Sequence, residues 1–153
     1  MFTDFASEKV RDEVFLIARI LLALLFLNFG WSKLTDYSGT AAYMTQTGVP
    51  MPSLAAFVAI VIEFFGAIAL IFGILARPLA VLLGLYTLAS ALIGHPFWTM
   101  SDPAAHYGSM INFYKNVSIL GGFLLLYITG AGRYSVDARL GLADAPPLRP
   151  QAR

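Results

Sequence analysis

The chain has 153 residues, of which 58% are hydrophobic and only 12% are charged, about half the charged share of an ordinary soluble domain. So short a chain has too little interior to bury that much apolar side chain, which excludes a soluble globular fold and points to an integral membrane protein. Ten Lys and Arg against nine Asp and Glu leave a net charge of +1 with no basic run, and there is no cysteine. Nucleic-acid binding, disulfide chemistry and thiolate ligation of zinc, iron–sulfur or covalently held haem are therefore not expected.

Apolar stretches of about 20 residues, enough to cross about 30 Å of hydrocarbon as a helix, occur four times: about 14–34, 54–75, 78–98 and 110–130. None alternates in the manner of a barrel strand. The expected fold is an all-α, integral membrane four-helix bundle over residues 1–138, followed by a flexible cytoplasmic tail over 139–153 rich in proline. The flank of the first stretch is mixed in sign (Asp4, Glu8, Lys9, Arg11, Asp12, Glu13) and no small-residue cleavage pattern follows, so it reads as a retained anchor.

The first connection, Thr35 to Ser53, holds Ser38 as a helix cap and Gly48 and Pro50 as terminators, which predicts a short helix on the membrane surface. The second is only Ala76-Arg77 before Pro78, a tight hairpin that makes its two spans antiparallel neighbours. In the third, Thr99 to Ser109, Ser101 or Asp102 is placed to cap a turn, and His106 reads as a loop residue. Lys9, Arg11, Arg77, Arg133, Arg139, Arg149 and Arg153 fall on one side, so both termini are expected in the cytoplasm. Tyr37, Phe97, Trp98 and Tyr107 then mark the outer interface and Tyr134 the inner one.

Every span carries a strongly polar group, at about 2.5–3.5 kcal/mol per centrally placed charge. These are Arg19, Lys33, Glu63, His95 and Lys115, with Asn28 and Asn116 beside them. At 100° per residue, Arg19, Phe26, Gly30 and Lys33 share one stripe of the first span, which should face the bundle interior. Depth along the spans allows an Arg19–Glu63 ion pair, here expected as a structural lock. Lys33, His95, Lys115 and Asn116 then remain in the outer half as a donor-rich pocket without a membrane-embedded acid. Gly66, Ala69, Gly73 and Gly121-Gly122 are candidate sites of close helix approach. Nucleotide-binding and metalloprotease motifs are absent, and the two histidines are not placed to face one another across a bundle, so no metal, haem or nucleotide is expected.

The segments that hold these residues resemble the DoxX family of small four-helix bacterial membrane proteins. The resemblance rests on Arg19-Ile20-Leu21-Leu22-Ala23 leading to Phe29-Gly30-Trp31-Ser32-Lys33-Leu34, then on Gly48-Val49-Pro50, Ile62-Glu63-Phe64-Phe65-Gly66 and Gly73-Ile74-Leu75-Ala76-Arg77. It continues with His95-Pro96-Phe97-Trp98, Phe113-Tyr114-Lys115-Asn116 with Gly121-Gly122, and Gly130-Ala131-Gly132-Arg133-Tyr134-Ser135-Val136-Asp137. It implies an inner-membrane protein linked to redox work, such as a subunit of a thiosulfate:quinone oxidoreductase or of a complex handling thiol or oxidative stress. A quinone suits the pocket, because Lys115, Asn116 and His95 can donate to its carbonyls. With no electron carrier of its own, the chain would act with a protein partner or as a homo-oligomer, as one subunit of a membrane quinone oxidoreductase. Other readings are a pocket for a small anionic ligand, an accessory or assembly subunit of a respiratory complex with no ligand, and a carrier of an anionic solute with Glu63 taking up protons.

Overall fold

A computed structural model describes residues 8–142 of the chain. Four helical rods are long and apolar enough to cross a membrane: Val10–Thr35, Pro52–Phe72, Ala76–Thr99 and Pro103–Thr129. No strand occurs among the described residues, and the protein is an all-α membrane bundle. In chain order the elements are α1 (Glu8–Thr35), α2 (Tyr37–Gln46), α3 (Pro52–Ile60), a π-helical turn (Val61–Phe65), α4 (Gly66–Phe72), α5 (Ala76–Gly94), a 3₁₀ turn (Phe97–Thr99), α6 (Pro103–Thr129) and α7 (Val136–Arg139). α3, the π turn and α4 form one continuous rod. Four crossings return the chain to the side from which it started; that end of the bundle is here called proximal and the other distal.

The interior is a column of alanine and leucine closed by two rings: Ala23 and Phe26 of α1, Ala67 and Leu70 of α4, Ala80 and Leu83 of α5, Phe123 and Leu126 of α6. Small residues let the rods approach, as they must where lipid and side chain are equally apolar and packing alone decides association. Outward-facing Leu21, Leu24, Leu85, Leu125 and Ile128 stay exposed, as suits a hydrocarbon solvent. Gly66 faces Leu83, and Gly122 faces Leu22. Gly121 does not fit the expected contact role, since a Cβ there would meet nothing within 4 Å.

Several ends differ from the sequence-based expectation for reasons of capping. The carboxylate of Asp36, not the hydroxyl of Ser38, accepts from Gly39 N–H and starts α2. α2 is then tied to α3 by the Tyr37 hydroxyl, which donates to Ser53 O. Asp102 caps α6 by accepting from Ala105 N–H, with Pro103 at the first helical position. The fourth rod therefore begins seven residues before the expected Met110, and His106 lies in its first turns rather than in a loop. α5 likewise starts at Ala76, two residues ahead of Pro78. Of the expected tail 139–153, the structure describes the end of α7 and a turn up to Leu142; the proline-rich part lies outside the described residues.

A candidate ligand cavity and the cations of the first span

Gly30 sets the geometry of the distal half. A Cβ at this position would stand 2.5 Å from Phe64 N and 2.9 Å from the Glu63 carbonyl carbon, so α1 lies directly on the backbone of the π turn. A π turn inserts an extra residue and redirects the side chains it carries; the one it turns inward is Glu63, which is only 6% exposed. One turn beyond Gly30 comes Lys33. Helical side chains lean toward their own N-terminus, so the Lys33 stem runs back to the level of Gly30, and its Nζ lies 2.7 Å from Glu63 Oε2. The other carboxylate oxygen accepts a hydrogen bond from the Tyr86 hydroxyl of α5.

This corrects the expected Arg19–Glu63 pair. Arg19 lies eleven residues before Gly30, about 16 Å toward the proximal end, and its side chain leans farther the same way. Although only 1% exposed, it meets no carboxylate at ion-pairing distance among the described residues. Its Nη2 donates to the backbone carbonyl of Tyr134, and its Nε and Nη1 have no hydrogen-bond partner among the described residues. The guanidinium occupies space that only a glycine leaves, because a Cβ on Gly73 would overlap Nη1. Gly73 also adopts φ +64°, a left-handed conformation that favours glycine. Just beyond Tyr134, the carboxylate of Asp137 accepts from Leu75 N–H at 2.7 Å and Ala76 N–H at 2.8 Å, and Asp137 N–H donates to Gly73 O. α7 is therefore a latch across the α4–α5 hairpin. It caps the first turn of α5 with a negative charge, where the helix dipole favours one.

Above the core column the rods enclose a cavity of about 310 Å³. It brings together all four residues singled out as ligand-binding, Lys33, His95, Lys115 and Asn116, and adds Glu63, Tyr86, Thr87, Ser90 and Asn112. Phe26 and Phe29 supply an aromatic wall. His95 is the C-cap of α5, held near Lys115 by the following turn. That turn is in turn fixed by Phe97, whose ring meets Phe113 and His106 edge-on at 5.5 Å. Lys115 has no carboxylate partner among the described residues. The cavity thus differs from the expected all-donor hollow: Lys33 and Glu63 cancel, and one fixed positive charge remains. No group of three or more His, Asp or Glu among the described residues is arranged to hold a metal.

The chain matches the DoxX family over residues 14–96. It is 49% identical to the inner membrane protein YphA of Escherichia coli over 138 residues, which cover 90% of this chain and 96% of that protein. It therefore belongs to the DoxX family. A second relative, the inner membrane protein YqjF of the same organism, is 43% identical over 133 residues, 87% of this chain and 96% of that protein. The yeast (Saccharomyces cerevisiae) ER-derived vesicles protein ERV29 is 26% identical over 133 residues, but these span only 36% of its length. No solved structure is significantly similar to the chain.

The DoxX-like segments acquire distinct physical jobs in this protein. Gly73-Ile74-Leu75-Ala76-Arg77 and Gly130 to Asp137 are the two halves of the α7 latch, with Arg19 wedged between them. Phe29 to Leu34 and Ile62 to Gly66 meet at Gly30 and build the Lys33–Glu63 pair. Tyr86, Ser90 and Asn112 escaped the sequence reading. Their signal was periodicity: Tyr86 and Ser90 are one turn apart, and Asn112 is one turn before Asn116, each pair on one helix face.

Proposed function

We propose that this protein is the quinone-interacting membrane subunit of a redox system, seated in a bacterial inner membrane with both termini in the cytoplasm. The observation that carries the reading is the single cavity in which α1, the π turn, α5 and α6 gather Lys33, Glu63, Tyr86, His95, Lys115 and Asn116. A quinone is a flat apolar ring with two acceptor carbonyls. Phe26 and Phe29 offer the wall such a ring requires, and Lys115, Asn112, Asn116 and His95 offer donors. A quinone supplies two-electron, two-proton acceptor chemistry. In the cavity, the Tyr86–Glu63–Lys33 chain holds exchangeable protons at linked oxygens and nitrogen. With no cysteine in the chain, the electrons come from a partner protein or a bound donor. The two relatives so named and the four spans support the inner-membrane setting, and Arg77, Arg133 and Arg139 at the proximal end support cytoplasmic termini.

Lys115, with no carboxylate partner among the described residues, also favours a second reading, in which a small anion occupies the same cavity. One measurement separates the two: binding of a short-chain benzoquinone analogue and of sulfate or phosphate to protein in nanodiscs. A hydrogen bond from a charged donor contributes about 1.5–3 kcal/mol, so Lys115→Met should weaken the bound species by about 10- to 150-fold. His95→Leu should weaken it less. Quinone affinity unchanged in both variants overturns the quinone reading.

A further inference from the structure

An open groove adjoins the cavity on the outside of the bundle. α1 and α6 touch through side chains toward the proximal end, where Phe26 and Phe123 pack at 5.5 Å and a Cβ on Gly122 would reach Leu22 at 3.2 Å. Farther out along the same seam the facing side chains Leu25, Ile111, Tyr114, Lys115 and Ser118 are exposed. They border an open groove of about 600 Å³. The groove shares Leu25, Lys115 and Ile119 with the cavity, so the two adjoin at these side chains, with Lys115 at the neck between them.

The chemistry changes along this path. The cavity holds the polar groups described above, whereas the groove is bounded by aliphatic side chains and Tyr114, and the Ser118 hydroxyl is already spent on Tyr114 O at 3.0 Å. An ammonium exposed in a seam between membrane-spanning rods is costly without an acceptor. The seam thus favours a ligand that brings an acceptor to Lys115 and leaves an apolar extension in the groove.

We propose that the α1–α6 seam is a lateral opening to the bilayer that admits a quinone bearing a single long isoprenoid-type chain. Its ring enters the cavity past Lys115, and its chain lies in the groove. This rests on the quinone reading and deepens it. A small anion arriving from water has no use for an apolar groove, and a two-chain phospholipid would need a second groove beside the neck. Because lipid tails are as apolar as the groove, the chain adds position and a route rather than affinity. Filling the groove should therefore act by leaving the chain nowhere to go, which keeps the ring from seating.

The test uses Ser118→Trp and Ile111→Trp. Both residues are exposed, line the groove and do not line the cavity, so neither change removes a cavity donor or a core contact. Two probes are bound to protein in nanodiscs, a benzoquinone with a decyl chain and the same ring with only a methyl group. The expected result is a loss of about tenfold or more for the decyl probe in both variants, with the methyl probe within about twofold of wild type. Decyl-probe affinity that either variant leaves intact, or equal loss of both probes, overturns the lateral opening while the quinone reading stands. Wild-type protein that binds neither probe removes the quinone reading itself, and this proposal falls with it.

Discussion

The pairing of Glu63 can be tested by two double-mutant cycles that give opposite answers for the two candidate cations. Glu63 is 6% exposed, and its oxygens are held by Lys33 Nζ at 2.7 Å and by the Tyr86 hydroxyl. Lys33→Met leaves the carboxylate buried with Tyr86 alone, a loss of the kind that costs about 3–5 kcal/mol. Glu63→Gln is milder: the Lys33 side chain is 23% exposed near the end of α1, so its ammonium can swing toward the interface, and the cost is about 1–2 kcal/mol. The double variant Lys33→Met with Glu63→Gln buries no charge, and the new amide still accepts from Tyr86, so it should lie about 1–2 kcal/mol below wild type. The coupling energy is then about 3–5 kcal/mol. In the second cycle Arg19→Met is combined with Glu63→Gln, and because Arg19 sits about 16 Å down the helix, the effects should add to within about 0.5 kcal/mol. The assay is SDS-driven unfolding in dodecylmaltoside micelles, followed by circular dichroism. Additivity in the Lys33 cycle, or strong coupling in the Arg19 cycle, refutes this account of the site.

Gly30→Ala places a methyl group against the Phe64 backbone and should cost about 1–3 kcal/mol as α1 is pushed off the π turn. Gly121→Ala enters open space and should be neutral or stabilise by up to about 1 kcal/mol; equal thermal shifts for the two would refute the close approach at Gly30. Asp137→Ala removes both acceptors from the first turn of α5, with an expected loss of about 1–2 kcal/mol. Hydrogen exchange should then accelerate at the Leu75 and Ala76 amides, and unchanged protection there would argue against the latch. For topology, a cytoplasm-dependent reporter fused after Leu142 should be active and one inserted at Ser101 silent, whereas the reverse pattern would invert the assigned orientation.

The fold was legible because lipid imposes one rule on the whole chain: every rod must be apolar for about 20 residues. The same rule exposed Arg19, Lys33, Glu63, His95 and Lys115, since each is an exception to it, and the cavity gathers all of them but Arg19. Their pairing was not legible. It depends on the lean of side chains toward the helix N-terminus and on a close approach at Gly30, neither of which a helical wheel contains. The acceptor for Arg19 was harder still, because it is a backbone carbonyl, at Tyr134, and a backbone carbonyl has no residue-type signature. Span ends shifted where a cap expected to start a separate turn started the span itself, as when Asp102 and Pro103 began α6 seven residues early.

Arg19 and Lys33 stand at opposite ends of the core column and are held by different means, with a consequence for function. Arg19 meets a backbone carbonyl and lies near the capping carboxylate of Asp137, both fixed by the latch, so its neutralisation depends on the fold and involves no exchangeable side-chain partner. Lys33 meets Glu63, whose other oxygen accepts a hydrogen bond from the Tyr86 phenol, so the pair is linked side chain to side chain. Exchanging the two arrangements would leave the bundle equally neutral, but it would put the titratable set against the proximal latch and a mute backbone contact against the cavity. As built, the linked chain of Lys33, Glu63 and Tyr86 faces the space where Lys115, Asn116 and His95 converge. Proton-bearing groups therefore adjoin the one fixed positive charge, and that combination is what a ligand whose carbonyl oxygens must be both bound and protonated requires.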